Sequence, residues 1–211
     1  ARCLGQRLGW PEEKLTFEAL MAPEVREKLG ELTFVTATDG NHGLGVAWAA
    51  RELGCRAVVY LPKGSAQERL DNILALGAQA EITDLNYDDA VRLATRKSEE
   101  NGWVLIQDTA WPGYEQIPAW IMEGYTTLAG EIFDQLAEAG EEPPTHLFLQ
   151  AGVGSFAGAV LGSVRNRWGK NCPVTCIVEP DQADCLYRTA KAADGQLHPV
   201  TGDMNSMMAG L

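Results

Sequence analysis

Between Thr36 and Gly45 the chain reads T-A-T-D-G-N-H-G-L-G, setting an acid, an amide and an imidazole (Asp39, Asn41, His42) among three glycines (Gly40, Gly43, Gly45). The apolar Phe34-Val35 precedes this stretch and a helix-like Val46 to Leu53 follows it. A strand that stops in such a turn and restarts as a helix leaves free backbone N–H groups and a positive dipole end aimed at one spot, which suits an anion. A second glycine-rich stretch, Gly152-Val153-Gly154-Ser155 with Gly158 beyond, follows the apolar run His146 to Gln150. It carries no Lys, so it is not a nucleotide-triphosphate loop, and its G-x-G-x-x-x-G spacing departs from the dinucleotide fingerprint. What remains is a small nest with a Ser hydroxyl at a helix start, suited to one phosphate monoester. Asp108, closing the run V-L-I-Q, is the second notable carboxylate; in a parallel sheet it is expected at the same edge as Asp39. Carboxylates near an anion-binding turn are costly unless they face cations, so the pattern suggests a ligand with a phosphate at one end and amines at the other. The plainer alternative makes Asp39, Asn41 and Asp108 turn or cap formers and His42 a satisfied polar residue.

Turns of this kind need strands that end and helices that begin at them. Short apolar runs at Thr33 to Ala37, Ala57 to Leu61, Ala80 to Thr83 and Val104 to Gln107 predict strands separated by helices. Crossovers of this length imply a parallel sheet flanked by helices. Before them, Arg2 to Leu8 and Thr16 to Leu29 read as helices, Pro11 suits the first turn of a short one, and Gly30 suits a C-terminal cap. Ser65 and Glu68 form an S-x-x-E capping box ahead of Leu70, Ile73 and Leu74, with Gly77 ending that helix. Asn86 is placed to cap the next helix. Trp120 to Gly140 predicts a long helix, followed by the buried-strand run His146 to Gln150, a helix around Ala159 to Arg167 and a strand at Val174 to Val178. The expected division is a helical lead-in over 1–32, a smaller α/β subdomain over 33–119 and part of a larger one over 120–211.

Seventeen basic against 29 acidic residues give a formal net charge of -12. That field repels polyphosphates, so nucleic acid and anionic membrane are poor partners, while helix ends can still hold a small anion locally. Cys3, Cys55, Cys172, Cys176 and Cys185 are odd in number and show no C-x-x-C pairing, which indicates neither a disulfide framework nor a metal site. With no signal peptide and no long apolar span, a cytoplasmic setting is the expectation. The chain opens on Ala1 and closes at M-M-A-G-L, so both ends read as cut.

The segments T-D-G-N-H-G-L-G-V-A-W-A-A, Y-L-P-K-G-S-A-Q-E-R, N-Y-D-D, Q-D-T-A-W, W-I-M-E-G-Y, Q-A-G-V-G and I-V-E-P-D-Q-A-D-C keep their order along the chain. Together they closely resemble the diaminopropionate ammonia-lyase family, within the tryptophan-synthase-β-like, fold type II group of pyridoxal-phosphate enzymes. Asp39 is the most specific single clue, since related serine and threonine dehydratases usually carry Ser there. The resemblance implies two α/β parts with pyridoxal 5'-phosphate in the cleft between them, and a homodimer. It implies that Asn41 contacts the pyridoxal ring hydroxyl, that Gly152, Val153, Gly154, Ser155 and Phe156 cradle the phosphate through backbone N–H groups, and that Thr38, Asp39, Gly40, Asn41 and His42 hold the substrate carboxylate. Asp39 and Asp108 match the catalytic acidic residues, Asp39 as proton acceptor at Cα for the D-isomer and Asp108 as its electrostatic support. The implied reaction is elimination from 2,3-diaminopropionate to give pyruvate and two ammonia, in amino-acid catabolism.

The same resemblance places the Schiff-base lysine on a segment preceding the Ala1 to Gly9 helix, and no residue here matches it. Lys14 lies in a polar P-E-E-K run and Lys63 in the L-P-K-G loop, and neither fits the role. The later portion that supplies the partner of the pyridine nitrogen is likewise unmatched. The chain is therefore expected to be the central part of an enzyme, inactive by itself. Two alternatives stand beside this reading: a serine or threonine dehydratase on the same fold, and a noncatalytic α/β metabolite-binding module.

Overall fold

The computed structural model describes residues 1–38 and 40–201, and its chain divides into two units, the first Ala1–Gln107 and the second beginning at Asp108. In the first unit the lead-in forms α1 (Arg2–Leu8), ended by Gly9 at φ 65°, then α2 (Phe17–Met21) and α3 (Pro23–Leu29). A single helix over Thr16 to Leu29 is what the periodicity predicts, but it breaks at Ala22, which takes an extended ψ of 138°. Ala22 precedes Pro23, whose ring disfavours helical backbone in the residue before it. Gly30 ends α3 at φ 60°, as its composition suggested.

Four strands follow, β1 (Thr33–Ala37), β2 (Arg56–Leu61), β3 (Gln79–Ile82) and β4 (Val104–Leu105). They are joined in turn by α4 (Asn41–Glu52), α5 (Gln67–Ala75) and α6 (Tyr87–Asn101). The sheet is parallel throughout, ordered β3-β2-β1-β4, with Val35 opposite Val58 on one side and Leu105 on the other. Central β1 is buried at every position, which its unbroken apolar and threonine run requires. Leu4 and Leu20 from the leading helices join Phe34, Val59, Leu61 and Ile73 in the core of this unit.

Two local expectations change. Helix α4 starts at Asn41, well before Val46, because Gly43 and Gly45 do not interrupt it. A Cβ at Gly43 would lie 2.3 Å from Thr38 Cγ2 and 2.8 Å from Val59 Cγ1, so glycine here lets the helix close onto the sheet. The Ser65–Glu68 capping box does not form: Ala66 is the N-cap of α5, and Ser65 Oγ instead donates to the Pro62 carbonyl at 2.9 Å. Asn86 does cap α6, its Oδ1 accepting from Asp89 N–H at 2.9 Å.

The second unit contains α7 (Gln116–Ala139), β5 (His146–Gln150), α8 (Ser155–Trp168), β6 (Val174–Val178) and α9 (Cys185–Ala192). Helix α7 begins earlier than Trp120 and accommodates Pro118 in its first turn, where no intrahelical N–H bond is lost. Strands β5 and β6 pair in parallel, Phe148 opposite Cys176. Leu149, Ala151, Ala157, Val160 and Val164 form the core here, and Phe133 of α7 meets Trp168 of α8 edge-on at 4.9 Å. The run His146 to Gln150 is not buried on both faces as predicted, since Leu149 is buried while Phe148 is 67% exposed. Successive side chains of a strand point to opposite faces, and here the face carrying Leu149 is packed while the one carrying Phe148 is open. The five cysteines are free thiols, and no helix among the described residues is long and apolar enough to cross a membrane.

Candidate active site

In the first unit β2 and β3 lie on one side of β1 and β4 on the other, so the carboxyl ends of β1 and β4 flank the point where strand order reverses. Ligands of open parallel sheets bind at such points. Thr38 closes β1 there: it is buried, its N–H donates to the Tyr60 carbonyl at 3.0 Å, and its Oγ1 accepts from Gly40 N–H at 3.0 Å. Asp39 lies outside the described residues. Gly40 is the N-cap of α4 with φ 156° and ψ -75°, and Asn41 opens the helix on an exposed face. His42 is half-buried, with Nε2 2.8 Å from the Ile106 carbonyl. A carbonyl only accepts, so Nε2 carries the proton and ties α4 to the end of β4. No acidic residue stands in the first turn of α4, and its leading N–H groups have no carbonyl within the helix to receive them.

Gln107 is the buried fastener of this edge. Its Oε1 accepts from Ala37 N–H at 3.2 Å and Thr36 Oγ1 at 3.1 Å, while its Nε2 donates to the Ala37 carbonyl at 3.0 Å and to Tyr87 Oη at 3.0 Å. The predicted strand Val104 to Gln107 is thus two residues long by its backbone, and a side-chain amide continues its pairing with β1. Asp108 follows next in the chain.

In the second unit the turn after β5 has Gly152 half-buried, Val153 exposed and Gly154 in left-handed backbone at φ 90° as the N-cap of α8. Glycine is required by that φ. Ser155 Oγ donates to the Asp108 carbonyl at 2.8 Å, so the hydroxyl fixes the chain entering this unit. Phe156 stacks edge-on with Tyr125 of α7 at 5.4 Å. Burial, then the charge of Asp108, pushes the Tyr125 phenol above its ordinary value. The first turn of α8 contains no acid, and its leading N–H groups have no carbonyl within the helix to receive them.

A family model described as pyridoxal-phosphate dependent enzyme matches residues 15–211. The chain belongs to this family. Diaminopropionate ammonia-lyase of Salmonella typhimurium strain LT2 is 59% identical over 208 residues, 99% of this chain and 52% of that protein. The crystal structure of holo diaminopropionate ammonia-lyase from Escherichia coli matches with a TM-score of 0.88 at 49% identity, over 100% of this chain and 50% of that one. The same enzyme in complex with D-serine matches at 0.86 and 48% identity, over 96% and 50%. The chain therefore spans about half the length of the relatives it matches. Its parallel strands flanked by helices are the fold type II arrangement of pyridoxal-phosphate enzymes.

Pyridoxal phosphate presents a phosphate monoester, and the Gly152 to Phe156 turn fits it: a left-handed glycine, a helix start without acids and N–H groups unclaimed within the helix. Among residues that sequence reasoning left without a role, Gln107 and Tyr125 stand out, together with Glu179 and Cys185. Gln107 lay inside the quoted Q-D-T-A-W segment, but nothing in its type distinguishes a strand-end amide from a surface one. Glu179 ended a predicted strand directly before Pro180, a place where a carboxylate is free to turn toward the next helix start.

Proposed function

We propose that the full-length protein is a pyridoxal-phosphate-dependent carbon–nitrogen lyase that converts 2,3-diaminopropionate and water to pyruvate and two ammonia. The observation that carries this reading is the 59% identity to diaminopropionate ammonia-lyase over nearly the whole chain. Two glycine-bearing turns at the carboxyl ends of parallel strands, each opening a helix with no acid in its first turn, support it.

Bound pyridoxal phosphate supplies the electron sink that makes the substrate Cα–H acidic. In this reading the N–H groups of Gly152, Val153, Gly154, Ser155 and Phe156 hold its phosphate, and Asn41 contacts its ring hydroxyl. Thr38, Asp39, Gly40, Asn41 and His42 bind the substrate carboxylate, using the positive start of α4. Because His42 Nε2 donates to the Ile106 carbonyl, the contribution of His42 to holding the carboxylate comes from its backbone N–H. Asp39 takes the Cα proton of the D-isomer, and Asp108 supports it electrostatically. A carboxylate that keeps the β-nitrogen protonated also makes that group leave as ammonia more readily than a neutral amine would. The D-serine complex of the Escherichia coli relative supports a site that accepts D-configured amino acids. A cytoplasmic homodimer completes the proposal; five free thiols accord with a reducing compartment.

The test is pyruvate release by the full-length protein with pyridoxal phosphate, from D- and L-2,3-diaminopropionate beside serine and threonine. The expected result is a preference for diaminopropionate, with turnover of the D-isomer falling by about 10²- to 10⁴-fold in Asp39→Asn. A preference for serine or threonine would assign the protein to the dehydratases and reduce Asp39 to a turn residue.

A further inference from the structure

The end of β6, the start of α9 and the turn after β5 meet in one small cluster. Glu179 accepts two backbone bonds from the first turn of α9, Oε1 from Leu186 N–H and Oε2 from Tyr187 N–H, both at 2.8 Å. Asp184, the N-cap residue of α9, makes no side-chain cap, so Glu179 takes that part from the neighbouring strand. Cys185 Sγ then lies 3.3 Å from the Gly152 carbonyl and 3.7 Å from Glu179 Oε1. Leu186 packs under the turn, its Cδ2 3.4 Å from where a Cβ on Gly154 would stand. On the other side, Ser155 Oγ is tied to Asp108.

We propose that Glu179 and Cys185 are positioning residues for the phosphate-binding turn, Glu179 by anchoring α9 and Cys185 by fixing the peptide plane between Gly152 and Val153. The inference rests on the reading of that turn as the cofactor-phosphate site. A trans peptide is planar, with its C=O and N–H antiparallel. Holding the Gly152 carbonyl on the Cys185 thiol therefore turns the Val153 N–H to the opposite side. Burial and the Glu179 charge push the Cys185 thiol up, which keeps it a protonated donor near neutral pH. Neither residue needs to touch the ligand.

The experiment compares dissociation constants of pyridoxal phosphate and of pyridoxal, which lacks the phosphate, for the full-length protein stripped of cofactor and its variants. A merely structural role would weaken both ligands alike. The expected result is that Cys185→Ala and Glu179→Ala each lower the preference for the phosphorylated form by about three- to tenfold, the loss of one oriented N–H contact, with pyridoxal affinity unchanged. Cys185→Ser, which keeps an O–H donor, should retain the wild-type preference. Glu179→Gln, which keeps one acceptor, should fall between, and it replaces Glu179→Ala should that variant not fold. Preferences unchanged in Cys185→Ala and Glu179→Gln, or equal weakening of both ligands, would overturn the inference alone. Wild-type protein that binds neither ligand would overturn the reading of the site and the inference with it.

Discussion

Tyr125, edge-on to Phe156, gives a direct readout of the glycine turn that opens α8. Burial is the larger cause raising its phenol above 10.0, and the negative charge of Asp108 adds to it. Both disfavour the phenolate, so the shift has the same sign from each. In difference spectra against Tyr125→Phe, phenolate absorbance should rise with a midpoint above 10.0, and Asp108→Asn should bring that midpoint part of the way back. A midpoint at or below the ordinary value would contradict the placement of Tyr125. At this scale the sequence was legible where a residue's type restricts its backbone. Gly30 and Asn86 could be assigned as caps before any coordinates, because left-handed backbone selects glycine and an N-cap selects a short acceptor. Gln107, Glu179 and Cys185 were opaque. Their roles depend on partners 70, 7 or 33 positions away along the chain, which no local pattern encodes.

Among elements, α4 and β1 define the first glycine turn, and their packing hinges on Gly43. A methyl there must displace Thr38 Cγ2 and Val59 Cγ1, both β-branched and both in closely packed surroundings. Gly43→Ala is expected to destabilise the protein by about 1–3 kcal/mol, read as a lowered midpoint of unfolding. Gly45→Ala is the control on the same helix: nothing lies within 4 Å of the added carbon, and alanine is the better helix former, so stability should hold or rise by up to about 1 kcal/mol. An equal gain for the two would show that helix propensity, and not close packing, governs this turn. The strands β1, β5 and β6 were legible to the residue because each is an apolar run bounded by breakers. Helix boundaries were harder to read. Ala22 broke a helix through its neighbour Pro23, Ser65 stood one position too early to cap α5, and glycines that suggested a loop lay inside α4.

At the scale of the whole molecule, a chain with a net charge of -12 is proposed to handle a phosphate and an amino acid. The charge and the proposal are compatible because a local array of N–H groups would hold the phosphate, whereas a long-range negative field favours approach of a substrate bearing amines. Each unit carries parallel strands and a glycine turn that opens a helix, and the resemblance assigns the substrate carboxylate to one and the cofactor phosphate to the other. The most direct test of the central claim is the ratio of ammonia to pyruvate released by the full-length protein from D-2,3-diaminopropionate, with and without pyridoxal phosphate. The proposal requires two ammonia per pyruvate with cofactor present and no release without it. One ammonia per pyruvate, or turnover that ignores the cofactor, would contradict it.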